Sequence, residues 1–146
     1  MKNFRAASLL FLFTVLIIFL SCKNQQQTST QEKIVEKVFV VKIVPNADSL
    51  QQYLTYHKQV WPQVEQGFKK AGYRKIVLYQ FHRLIVMTIQ VPEGADMEEM
   101  GKVAESYDPR CAEWNRLMNN YQVGVEGTQP GVKWVEAQPI YSFSNQ

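Results

Sequence analysis

"YRKIVLYQFHRLIVMTIQV", residues 73–91, decides the fold. Two runs rich in Val, Ile, Leu and Tyr flank a short turn near His82 and Arg83. Such side chains suit a pleated, half-buried surface, so the stretch predicts an antiparallel hairpin. Helical patterns lie on both sides of it. Upstream, Leu50, Leu54, His57, Trp61, Val64 and Phe68 recur at spacings of 4, 3, 4, 3 and 4, which is one apolar stripe of a helix. Asn46 or Asp48 is placed to cap its start, and Gly72 to end it. Pro62 interrupts it, because a proline inside a helix lacks the N–H and clashes with the carbonyl four residues back, here that of Lys58. A kink or a break is expected there. Downstream, "PEGADMEEMGKVAES" begins a second helical region and "DPRCAEWNRLMNNY" continues it, with Asp108 as a cap and Pro109 at a first helical position. Cys111, Trp114, Leu117, Met118 and Tyr121 share one face there.

Working further outward, "EKVFVVKIVP" (36–45) reads as a strand ending at Pro45. Residues 122–131 hold three glycines and one proline and read as a loop. "VKWVEAQPIYSF" is a closing strand pair, or one strand broken at Pro139. The order β-α-β-β-α-β is the ferredoxin-like, split βαβ arrangement of an α+β fold: an antiparallel sheet with helices on one face. The other face needs a cover, and a second copy related by C₂ symmetry is the simplest one.

The 146-residue chain has two unlike parts, this domain and what precedes it. Residues 1–22 carry Lys2 and Arg5, then an uncharged apolar run of 15 residues from Ala6 to Leu20. That is the pattern of an export signal, and it is shorter than the roughly 20 residues of a spanning helix. It ends in "LSC", which resembles the lipobox of bacterial lipoproteins, so Cys22 is expected to become an acylated N-terminus. The chain would then be exported and anchored by lipid alone, on the periplasmic side or in the outer membrane. Residues 23–33, "KNQQQTSTQEK", hold no large apolar side chain and read as a disordered tether. Residues 34–146 remain as one domain.

Without Lys2 and Arg5, the 16 basic residues become 14 against 13 acidic ones, a net of +1. No basic block stands out, which argues against a nucleic-acid partner. With Cys22 set aside, Cys111 is alone, so a disulfide framework is excluded. One cysteine and two distant histidines argue against a zinc site. There is no glycine-rich phosphate loop.

His57 lies on the stripe that faces the sheet, one turn after Tyr53 and one turn before Trp61. Trp114 and Asn115 on the second helical region, and Tyr79 on the hairpin, can join them. Taken singly, each aromatic is an ordinary core residue, and His57 on an apolar stripe reads first as a neutral core histidine. Together they outline an aromatic pocket with a few polar tips, as suits a small polyhydroxylated ligand. Histidine adds a group able to move protons near neutral pH.

The stretch "YLTYHKQVWPQVEQGFKKAGYRKIVLY" resembles the L-rhamnose mutarotase family in its tyrosine, histidine, Trp-Pro and glycine, here Tyr53, His57, Trp61, Pro62 and Gly72. "DPRCAEWNRLMNNY" resembles a second segment of that family. The resemblance runs from Val38 to Phe143. It implies a dimeric α/β barrel of ferredoxin-like subunits and interconversion of the α and β anomers of a 6-deoxyhexose such as L-rhamnose or L-fucose. His57 would be the proton donor, and Tyr53 and Trp114 would touch the sugar. No metal or organic cofactor is implied. Two positions depart from the pattern: Asn115 stands where a second tryptophan is usual, and Ile76 where a sugar-contacting tyrosine is usual. A non-catalytic sugar-binding module on the same fold is the alternative.

Overall fold

A computed structural model describes residues 32–145; the expected export signal, Cys22 and the expected tether up to Gln31 lie outside the described residues. Strand β1 (Ile34–Ile43) is followed by helices α1 (Ala47–His57) and α2 (Pro62–Ala71), the hairpin β2 (Lys75–Phe81) and β3 (Leu84–Pro92), helices α3 (Met97–Ser106) and α4 (Pro109–Asn119), and two short strands, β4 (Gln122–Val123) and β5 (Val135–Ala137). The sheet order is β2-β3-β1-β4, with β5 also pairing with β1, and every pairing is antiparallel. This is the expected α+β order, with each α replaced by two helices.

The apolar stripe breaks at Pro62, and the cause is local. The Asn46 side chain accepts from the Asp48 N–H and starts α1, which ends at His57. Trp61 then takes extended backbone as the N-cap of α2, and Pro62 sits in the first turn, where its missing N–H costs nothing. The same device recurs before α4, where Asp108 accepts from Arg110 N and Pro109 follows. Gly72 ends α2 in the left-handed conformation at φ 93°. The hairpin turn places His82 at φ +51°, a region that histidine enters more readily than most non-glycine residues.

Strand alternation decides what faces the helices. Val41, Ile43, Ile85, Ile89 and Val91 are at most 2% exposed and form the sheet side of the core. Tyr53, Val64, Trp114 and Met118 meet the first three from the helices, and Met100 meets the last two. Burying each such side chain contributes about 1.5–3 kcal/mol. Gly67 lets α2 lie against α3: a Cβ there would stand 2.6 Å from the Ala104 carbonyl oxygen. Cys111 fills the same junction, its thiol donating to the Gln63 carbonyl at 3.3 Å. Burial pushes that thiol's pKa up, as befits a small apolar filler.

The register pairs Tyr79 with Val86, Phe81 with Leu84, and Val40 with both Val86 and Val135. These side chains alternate with the core set and lie on the face without helices. Tyr79 is 56% and Phe81 70% exposed. The closing strand is shorter than the sequence suggests. Only Val135–Ala137 pairs, tied to β1 by a Lys37–Glu136 ion pair at 2.8 Å. Beyond it Pro139 has no N–H to offer a ladder, and Ile140, Tyr141 and Phe143 stand exposed.

Candidate active site

His57 is the last residue of α1. Its Nδ1 lies 2.8 Å from the Tyr53 carbonyl one turn back. A carbonyl can only accept, so Nδ1 carries the proton, and Nε2 is the nitrogen left for a ligand. Burial lowers the His57 pKa below its usual 6.5, against a smaller opposing effect of the Tyr53 carbonyl bond. The ring is therefore neutral at pH 7, with a free lone pair at Nε2.

Tyr53 is 2% exposed, and its ring lies 4.2 Å from that of His57. Burial pushes its hydroxyl up to about 12, opposed in part by the Gln122 side chain, so it stays a neutral phenol. Trp114 meets His57 edge-on at 5.4 Å and Trp61 at 5.2 Å. These contacts hold the imidazole from three sides: backbone, phenol and indole.

A cavity of about 330 Å³ opens beside this group. Tyr53, His57, Trp114, Gln122 and Trp134 are part of its lining. Ile76, Leu78 and Met87 from the sheet, with Val60 and Phe68, form an aliphatic and aromatic wall. Glu65 and Asn115 stand among the polar lining groups. Asn115 Nδ2 donates to Glu105 Oε2 at 2.9 Å, which leaves its carbonyl oxygen open. The volume lies within the range of small-molecule sites. Among the described residues, no group of three or more His, Cys, Asp or Glu is arranged to hold a metal ion.

Of the residues singled out from the sequence, Tyr53, His57, Trp114 and Asn115 line one cavity. Tyr79 does not. Ile76 and Leu78 face the cavity, so alternation turns Tyr79 to the opposite side of the sheet. Trp61 stands behind the wall instead, packed on Trp114 with the Arg110 guanidinium 3.8 Å over its ring. Ile76, where a polar contact is absent, supplies apolar surface. The sequence does not mark Gln122 and Trp134 as site residues: Gln122 opens the glycine-rich stretch read as a loop, where the structure forms β4, and Trp134 precedes β5 in the closing strand segment, whose partner strand no local pattern announces.

Residues 36–143 match the family model described as L-rhamnose mutarotase. The chain belongs to that family. A curated relative, the L-fucose mutarotase of Xanthomonas campestris pv. campestris, is 31% identical over 109 residues, covering 73% of this chain and 86% of the relative. The L-rhamnose mutarotase of Escherichia coli is 26% identical over 89 residues, covering 60% of this chain and 79% of the relative. Among solved structures, a dimeric ferredoxin-like protein from an uncultured marine organism aligns at a TM-score of 0.50 with 9% identity, over 80% of this chain and 95% of its own. That likeness supports the ferredoxin-like fold read from the strand order.

Proposed function

We propose that this family member interconverts the α and β anomers of a 6-deoxyhexose, L-fucose or L-rhamnose, with His57 as the acid–base group. The observation that carries the reading is the fixed tautomer of His57 in a cavity lined by Trp114 and by aliphatic side chains. Nε2, unprotonated at rest, takes the proton of the anomeric hydroxyl. The C1–O5 bond then breaks as C1=O1 forms, and the ring oxygen leaves as an alkoxide that takes the proton back from Nε2. O1 and O5 sit on the same carbon, so one nitrogen serves both. Rotation about C1–C2 and reclosure by the reverse steps give the other anomer. His57 thus acts as a base first and as the proton donor second.

The pH dependence follows from the neutral ring. kcat/KM is expected to be flat above pH 7 and to fall as pH drops through a midpoint below 6.5, because protonation fills the Nε2 lone pair. Optical rotation of freshly dissolved α-L-fucose, followed with and without protein from pH 5 to 8, checks this. A rate independent of protein concentration at every pH, for L-rhamnose as well as L-fucose, would sink the enzyme reading.

The aliphatic lining supports a 6-deoxy sugar as substrate, since a methyl group loses nothing against Ile76, Leu78 and Met87. L-galactose is L-fucose with a hydroxyl on that carbon. It is expected to be used less well, by a factor of up to about 10², since an apolar pocket discriminates only modestly against an added hydroxyl. Equal kcat/KM for the two sugars would show that C6 lies elsewhere.

The exposed sheet face supports a homodimer in which a second copy covers Tyr79 and Phe81. Phe81→Asp is expected to shift the full chain from dimer to monomer in analytical ultracentrifugation, because a buried unpaired carboxylate is costly. The first 22 residues support export and a Cys22 lipid anchor, where sugars freed by polysaccharide breakdown would reach the cavity.

A further inference from the structure

A second hollow of about 450 Å³ adjoins the His57 cavity, and the two share Asn115, Gln122 and Trp134 as lining. Its remaining walls are Glu105, Arg116, Met118 and Asn119. One tryptophan borders both spaces. Around it stand amide side chains and one residue of each charge, so the lining is rich in hydrogen-bond groups without a net sign. A surface of this kind fits an uncharged polyol ring: the indole meets its C–H face, and amides, guanidinium and carboxylate meet its hydroxyls. A phosphate or carboxylate ligand would want a cationic excess that is not there.

We propose that this hollow is a subsite for a second, neutral glycosyl unit, so that the protein accepts reducing disaccharides whose reducing end is the sugar opened at His57. The inference rests on the mutarotase reading and extends its substrate class. Only the reducing ring needs a free anomeric carbon. A substituent on another hydroxyl of that ring can leave the first cavity past Asn115 and Trp134. No bond other than C1–O5 of the reducing ring breaks, and the glycosidic linkage is untouched.

The test uses the full chain in detergent micelles with L-fucose and with its 2-, 3- and 4-linked β-D-galactosyl disaccharides. Anomer exchange is read by proton saturation transfer, and binding by the shift of tryptophan indole signals. At least one linkage isomer is expected to exchange within about tenfold of L-fucose. Arg116→Ala and Asn119→Ala lie outside the first cavity and are each expected to raise that isomer's KM about three- to tenfold, the loss of one hydrogen bond, with L-fucose unchanged. If L-fucose exchanges but no isomer binds or exchanges, the subsite is refuted while the mutarotase reading stands. The same holds if an isomer is used but both variants leave its KM unchanged. If L-fucose is neither bound nor exchanged but L-rhamnose is, the same comparison is read on the galactosyl-L-rhamnose isomers; if neither sugar is bound or exchanged, the mutarotase reading fails and this inference falls with it.

Discussion

His57→Asn is expected to slow enzyme-dependent anomer exchange by about 10² to 10⁴, the usual worth of one positioned acid–base group. The substitution separates chemistry from structure. Asparagine keeps an N–H close to where Nδ1 donates to the Tyr53 carbonyl at 2.8 Å, so the end of α1 retains its bond. It removes Nε2, which takes and returns the proton. The loss should appear in kcat, with KM changed little, because Tyr53, Trp114 and Gln122 still line the cavity. The melting temperature should move by no more than a net hydrogen bond of about 1 kcal/mol allows. A His57→Asn variant that is folded and as fast as wild type would remove His57 from the mechanism.

The second large effect is on stability. Trp114→Ala is expected to cost about 3–5 kcal/mol, the range for deleting a large buried aromatic. Trp114 is 5% exposed and touches Tyr56, His57 and Trp61 from three directions. Its removal leaves a hole between α1, α2 and α4 that a break at Pro62 makes hard to close, because two helices rather than one would have to move. Against a total of about 5–15 kcal/mol for a typical domain, that is a large share. Urea unfolding followed by circular dichroism should show a lower midpoint with an unchanged slope. A midpoint within experimental error of wild type would mean that Trp114 is a surface platform and not part of the core.

Much of the fold is legible locally. The hairpin, the helix caps at Asn46 and Asp108, and the end at Gly72 each rest on a few neighbouring residues, and those signals act within the same few residues in the fold. The grouping of Tyr53, His57 and Trp114 is legible because helical periodicity places all three on inward faces. Tyr79 departs from its expected place for a definite reason. Both faces of β2 are apolar, so alternation alone does not say which parity faces the helices; the register with β3 does. Trp61 shares its helical spacing with His57, yet the break at Pro62 carries it behind the wall. Gln122 and Trp134 reach the cavity through two short pairings with β1, at Lys42–Ile43 and Val38–Val40. Which strand so short a segment pairs with is a non-local choice, and it leaves no periodic trace at either position.

The most direct measurement is saturation-difference proton NMR on the full chain in detergent micelles, with L-fucose, L-rhamnose and D-glucose in turn. The α-anomeric proton is irradiated and the β signal is watched. Transfer above the protein-free rate is expected for a 6-deoxyhexose with wild-type protein, and none above it with His57→Asn. Folded wild-type protein that leaves both 6-deoxyhexoses at their protein-free exchange rate would contradict a mutarotase centred on His57.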